Sequence, residues 1–205
     1  LRHTASPLSD VIYSNEKTEM LYESFQDNAH EVPLFLKHLE KIQLYERDKF
    51  AIEPKLVFEV RIAKECVCEV RQQRADFMNQ TRAGGVSRTG ARQWMDQPIV
   101  ATYPITIETV LMEKGKEKVE QYKYLVTNYY SGGSVSAIFR KLYRDPDLNY
   151  PPWVGLAMPL DIPAEETFQL QDTDGHVFCF LPLSLEQKTP TGLPVHVNGF
   201  FALEQ

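Results

Sequence analysis

Cysteine is scarce in this chain, and the three present do not suit a disulfide framework. Cys66, Cys68 and Cys179 make an odd count, and the first two stand too close for an ordinary structural bridge. A reducing compartment is the expectation. A Cys-x-Cys pair alone is not a zinc site. The five histidines, His3, His30, His38, His176 and His196, show no paired ligand spacing, so no metal or cofactor is expected. His176 and His196 do fall on neighbouring strand candidates, where a pair would form only if the fold joined those strands. No apolar run approaches the ~20 residues of a membrane span, and no signal-peptide pattern opens the chain. There is no G-x-x-x-x-G-K-[ST] loop, no nucleophile elbow, no internal repeat and no low-complexity tract. Positive charge is also short: 22 Lys and Arg against 28 Asp and Glu leave a net charge of -6. That balance argues for solubility and against a nucleic-acid partner, whose phosphates need a basic face.

Apolar and aromatic residues are plentiful. Hydrophobic residues make up 43% of the 205, aromatics 11% and charged residues an ordinary 24%. Such a chain builds a core as one sizeable domain or two small ones. Ser14 precedes a helical pattern at Met20, Leu21 and Phe25. Asn28-x-x-Glu31 reads as the capping box of a second helix bearing Val32, Phe35, Leu36 and Leu39, with Pro33 in its first turn. Lys55 to Ala63 alternates as a half-buried strand, and Glu65 to Met78 reads as a helix striped by Val67, Val70 and Phe77. Ile105–Glu113 and Gln121–Asn128 read as a hairpin turning at Gly115. Ser131-Gly-Gly-Ser134 reads as the cap of a short helix with Val135, Ile138, Phe139 and Leu142. Trp153–Leu160, Phe168–Gln171 and His176–Leu181 read as further strands, the last two joined by a turn at Asp172–Gly175. The predicted class is α+β: an N-terminal helix pair, then a mostly antiparallel sheet with inserted helices.

The tail, VFCFLPLSLEQKTPTGLPVHVNGFFAL (Val177–Leu203), closely resembles the repeated region of the sacsin family of very large co-chaperone-like proteins. LYESFQDNAHEVPLFLKHLEKIQLYE (Leu21–Glu46) is similar to the segment that follows the ATPase domain in each sacsin repeat, where a helix pair runs into LFLK and an LY strand. LRHTASPLSD resembles the last strand of that preceding domain. The resemblance implies that residues 1–10 are the tail of an ATPase-like domain of the GHKL type. Residues 11–205 are then an α+β segment placed like the middle domain of the ninety-kilodalton heat-shock chaperones, with a possible sub-boundary near 80–98. It further implies an upstream ATPase-like partner in the same chain, client or chaperone-system partners, and a cytoplasmic location near mitochondria and the cytoskeleton. The ATPase motifs themselves are missing: Asp172-Thr-Asp-Gly-His breaks D-x-G-x-G, so no catalysis is expected from these residues.

Two sets of residues are candidates for binding. Arg71, Arg74, Arg82, Arg88 and Arg92 stand against a lone Asp76, around Gly84, Gly85 and Gly90. Arginine clamps phosphate bidentately. By analogy with the heat-shock chaperones, Arg82, Arg88 or Arg92 would reach nucleotide held by the neighbouring domain. The plainer reading is a solvated surface loop. Among the aromatics, Tyr122, Tyr124, Tyr129 and Tyr130 fall at strand spacing and suit the core. Tyr143, Tyr150 and Trp153, beside the Pro151–Pro152 pair, are the set expected to be exposed for partner binding. Two functions follow as expectations: a non-catalytic segment coupling the upstream ATPase to clients, or a structural spacer that sets the geometry of a very long chain.

Overall fold

The computed structural model describes residues 14–47, 50, 52–82, 97–113, 116–132, 153–160, 175–182 and 190–199. Helix α1 (Asn15–Asn28) is capped as its sequence predicts, the Lys17 N–H donating to Ser14 Oγ at 3.2 Å. It runs without a break into a 3-10 helix, Ala29–Leu34. The capping box at Asn28 does not form. Asn28 is the last residue of α1, and its side-chain amide donates back to the Ser24 carbonyl. Pro33, inside the second helix, has no N–H to give and its ring obstructs α-helical geometry, which accounts for a short, tight 3-10 segment that stops before Phe35.

Eight strands follow among the described residues: β1 (Lys41–Glu46), β2 (Lys55–Ile62), then after helix α2 (Val67–Arg82) β3 (Ile99–Glu113), β4 (Lys116–Tyr130), β5 (Trp153–Pro159), β6 (Val177–Cys179), β7 (Leu181–Pro182) and β8 (His196–Gly199). They form one sheet in the order β1-β2-β3-β4-β5-β8-β6-β7. Every pairing is antiparallel except β6 with β8. The α+β class with its N-terminal helix pair holds. The central hairpin is longer than expected: at the turn end the largely polar run Lys116–Glu120 continues the ladder, and at the far end Ile99–Pro104 extends it to Ile99↔Tyr130. The predicted helix after Ser134, the strand Phe168–Gln171 and the Asp172–Gly175 turn lie almost wholly outside the described residues.

Period-two alternation sorts the sheet into two faces. One carries Phe58, Val60, Ile62, Tyr103, Ile105, Ile107, Tyr124, Val126, Ala157 and Phe178, all buried against the helical elements. Gly155 allows close packing there: a Cβ would stand 3.0 Å from the Phe35 ring and 3.2 Å from Asn128 Oδ1. The opposite face is polar toward β1 and β2, where Arg61 donates to Glu108 at 2.8 Å and to Glu59 at 2.7 Å. Toward β5 it becomes apolar. Val100 pairs with Tyr129 and Tyr129 with Val154, while Leu156 lies in the next row opposite Thr127. These four hydrophobic side chains are between 40% and 62% exposed. No described helix is long and apolar enough to cross a membrane.

Arg74 ties α2 to the 3-10 helix. Its guanidinium, 7% exposed, donates to the carbonyls of Pro33 (2.7 Å), Leu34 (3.2 Å) and Leu36 (2.7 Å) and to Tyr103 Oη (3.3 Å). These include the carbonyls that a helix terminus leaves without intrahelical partners. The planar fork of arginine suits several acceptors at once.

Candidate functional site

Glu31, His176 and His196 come from three different elements and meet under the sheet. Glu31 is buried in the 3-10 helix, His176 immediately precedes β6, and His196 opens β8 on the face that packs against the core, opposite Ala157. The parallel pairing of β6 with β8 sets Val177 beside Val197, which brings the two histidines side by side with ring centroids 5.4 Å apart. Gly175 makes the approach possible. Its N–H donates to the Leu193 carbonyl at 2.8 Å, and a Cβ there would lie 1.8 Å from the Val195 carbonyl oxygen.

The hydrogen bonds fix the tautomers. The His176 backbone N–H donates to His196 Nδ1 at 3.1 Å, so neutral His196 carries its ring proton on Nε2. His176 Nδ1 lies 2.9 Å from Glu31 Oε2, and the ionised carboxylate can only accept, so His176 Nδ1–H is the donor. His196 Nδ1 stands 4.0 Å from the same Glu31 oxygen. His30 Nε2 is 3.9 Å from the other, its ring stacked on Tyr122 at 4.0 Å. Burial first, then the electrostatic influence of neighbouring His176, pushes both His30 and His196 down to about 4, so both are neutral at physiological pH. Burial, then the Glu31 charge, raises the Tyr124 hydroxyl above its usual range.

One ligand atom from each of Glu31, His176 and His196 lies within 4.8 Å of the other two. Two imidazoles and a carboxylate form a donor set that suits a divalent transition metal. Sequence spacing does not reveal this cluster: 145 residues separate Glu31 from His176. The only trace of it is the placement of His176 and His196 on candidate neighbouring strands, and pairing those strands is a tertiary event.

The predicted binding residues fare differently. Arg82 is the last residue of α2, and Arg88 and Arg92 lie outside the described residues. Arg71, from the same basic stretch, is engaged with Glu40 through two 2.7 Å hydrogen bonds, and Arg74 is the buried clamp described above. Tyr143 and Tyr150 lie outside the described residues. Trp153 corrects the expectation of exposure. It is 9% exposed, packs with Phe77, Tyr130 and Phe180, and donates from Nε1 to Asn128 Oδ1 at 3.1 Å. As the first residue of β5 it falls on the core-facing side of the pleat, so the prolines before it do not turn it outward. The cysteines are free and ungathered; Cys66 donates to the Ala63 and Thr106 carbonyls, and burial pushes its thiol up.

No protein-family model matches the chain, and no solved structure matches it. It is similar to a stretch of human sacsin. The two are 33% identical over 206 residues, covering 99% of this chain. The chain spans about 4% of the length of that curated relative. The alignment therefore extends across nearly the whole of this sequence, beyond the two ends that carry the legible motifs.

Proposed function

We propose that this chain is a non-catalytic segment of a very large co-chaperone-like protein, coupling an ATPase-like domain upstream to contacts with client or partner proteins. The observation that carries the proposal is the apolar strip Val100, Tyr129, Val154 and Leu156 on the sheet face opposite the core. Contiguous exposed apolar surface on a sheet marks a site of protein contact. The extent of the similarity to sacsin supports the setting of such a strip in a much longer chain. On this reading residues 1–10 close the ATPase-like domain, and Arg82, Arg88 or Arg92 reaches its nucleotide. Tyr143 and Tyr150 join the contact surface, and the protein works in the cytoplasm.

The test is suppression of aggregation by the whole chain, without nucleotide, using a thermally unfolding protein as client. Concentration-dependent suppression is expected, weakened in a Val154→Thr/Leu156→Thr double variant that keeps β-propensity but removes apolar area. A chain that is folded by circular dichroism yet gives no suppression refutes the client-binding reading and leaves the structural spacer.

A further inference from the structure

We propose that Glu31, His176 and His196 bind one divalent transition-metal ion of the zinc class, with Glu31 Oε2 and the Nδ1 atoms of both histidines as ligands.

The geometry is close to what such an ion requires. Zinc bonds of about 2.0–2.1 Å set tetrahedral ligand atoms about 3.3 Å apart. The Glu31 oxygen lies 2.9 Å from one Nδ1 and 4.0 Å from the other, and one ligand atom of each residue lies within 4.8 Å of the other two, so binding draws the wider pairs inward by side-chain rotation. His196 already holds the ligating tautomer, since its Nδ1 presents a lone pair to the His176 amide. Coordination replaces that hydrogen bond. On His176 the Nδ1 proton shifts to Nε2 and the Nδ1 lone pair turns to the metal, a change of tautomer that gives up the hydrogen bond to Glu31. Nitrogen donors disfavour magnesium and calcium, which take oxygen ligands. The segments carrying the two histidines are joined by backbone hydrogen bonds, the Gly175 N–H donating to the Leu193 carbonyl at 2.8 Å and the Thr191 N–H to the Gly175 carbonyl at 2.7 Å. The ion would tie the 3-10 helix to the end of the sheet.

The experiment uses the whole chain stripped by chelator and titrated with zinc alone, with magnesium as control. The reading predicts one zinc per chain and a Tm rise of roughly 5–10 °C when free zinc is a hundredfold above Kd. Magnesium should give neither. Glu31→Gln, His176→Gln and His196→Gln should each weaken binding by at least about 100-fold, beyond what loss of an outer-shell partner causes. A Cys66→Ser/Cys68→Ser variant should bind as the parent does. If the histidine variants do not fold, cobalt(II) bound to the parent chain must still show a visible spectrum of nitrogen and oxygen ligation without thiolate charge transfer. Absence of stoichiometric zinc, unchanged affinity in folded histidine variants, or thiolate bands with cobalt would each overturn the proposal. These readouts do not depend on client binding, so the two proposals fail separately.

Discussion

Replacing Arg74 by methionine tests the core junction most directly. Methionine keeps much of the aliphatic stem and removes the fork. Four donated hydrogen bonds go with it, three of them to backbone carbonyls at the end of the 3-10 helix. Hydrogen bonds from a charged donor contribute about 1.5–3 kcal/mol each, and a buried acceptor left unsatisfied costs about 1–3 kcal/mol. These figures do not add fully, because the buried guanidinium also carries a desolvation cost that methionine removes. A net loss of about 3–5 kcal/mol is the expected result. Arg74→Lys should recover only part of it, since an ammonium cannot reach carbonyls spread along the terminus from one planar fork. Urea titration followed by circular dichroism reads the midpoint, with Arg71→Ala as the matched control on the exposed side of the same helix. Arg71 forms its pair with Glu40 in solvent, where an ion pair adds little, so its midpoint should stay near the parent's. If Arg74→Met moves the midpoint no further than Arg71→Ala does, the clamp is not a source of stability and the reasoning fails.

Two smaller perturbations probe the sheet. Gly155→Ala places a methyl 3.0 Å from the Phe35 ring and should cost about 1–3 kcal/mol, read by the same titration; a neutral or stabilising result would contradict the close packing. The hydrogen bond from Arg61, ahead of the attraction of its charge, holds the Glu108 carboxyl below the usual 4.5. Its contribution is therefore complete above about pH 4.5 and is lost as pH falls through the lowered folded value. Glu108→Gln should flatten that part of the acid limb in a pH series of thermal melts; an unchanged acid limb would show that the pair does not contribute.

Local pattern predicted much of this fold because much of it is locally determined. Phe58, Val60 and Ile62 alternate on a strand buried on one side, and Val70 and Phe77 fall on the buried stripe of α2. Ser14 caps α1 with the hydrogen bond its chemistry favours. The failures share a different cause. Asn28 and Glu31 match a capping box in spacing, but that motif needs an extended residue at the cap, and here one helix flows into the next. Arg74 looks like one more member of a basic stretch until its carbonyl partners, 38 to 41 residues away, come into view. Trp153 beside two prolines looks exposed until the pleat of β5 assigns its face. The cluster of Glu31, His176 and His196 depends on a parallel pairing between β6 and β8, which leaves no periodic mark in the chain. Spacing rules search along the sequence, and these three side chains converge across it.

The position of β8 bears on the order in which the chain assembles as it is made. β8 is the last strand in sequence among the described residues, yet it lies inside the sheet, between β5 and β6. While residues 196–199 are still within the ribosome, β6 and β7 have no ladder to join, and Phe178 has no fixed route into the core. The first five strands and the helices can dock early, as N-terminal parts of a chain generally do. The far end of the sheet then closes in one late step. A nascent chain cut short before His196 would lose three strands rather than one, and would expose the inner edge of β5 to whatever other strand lay nearby.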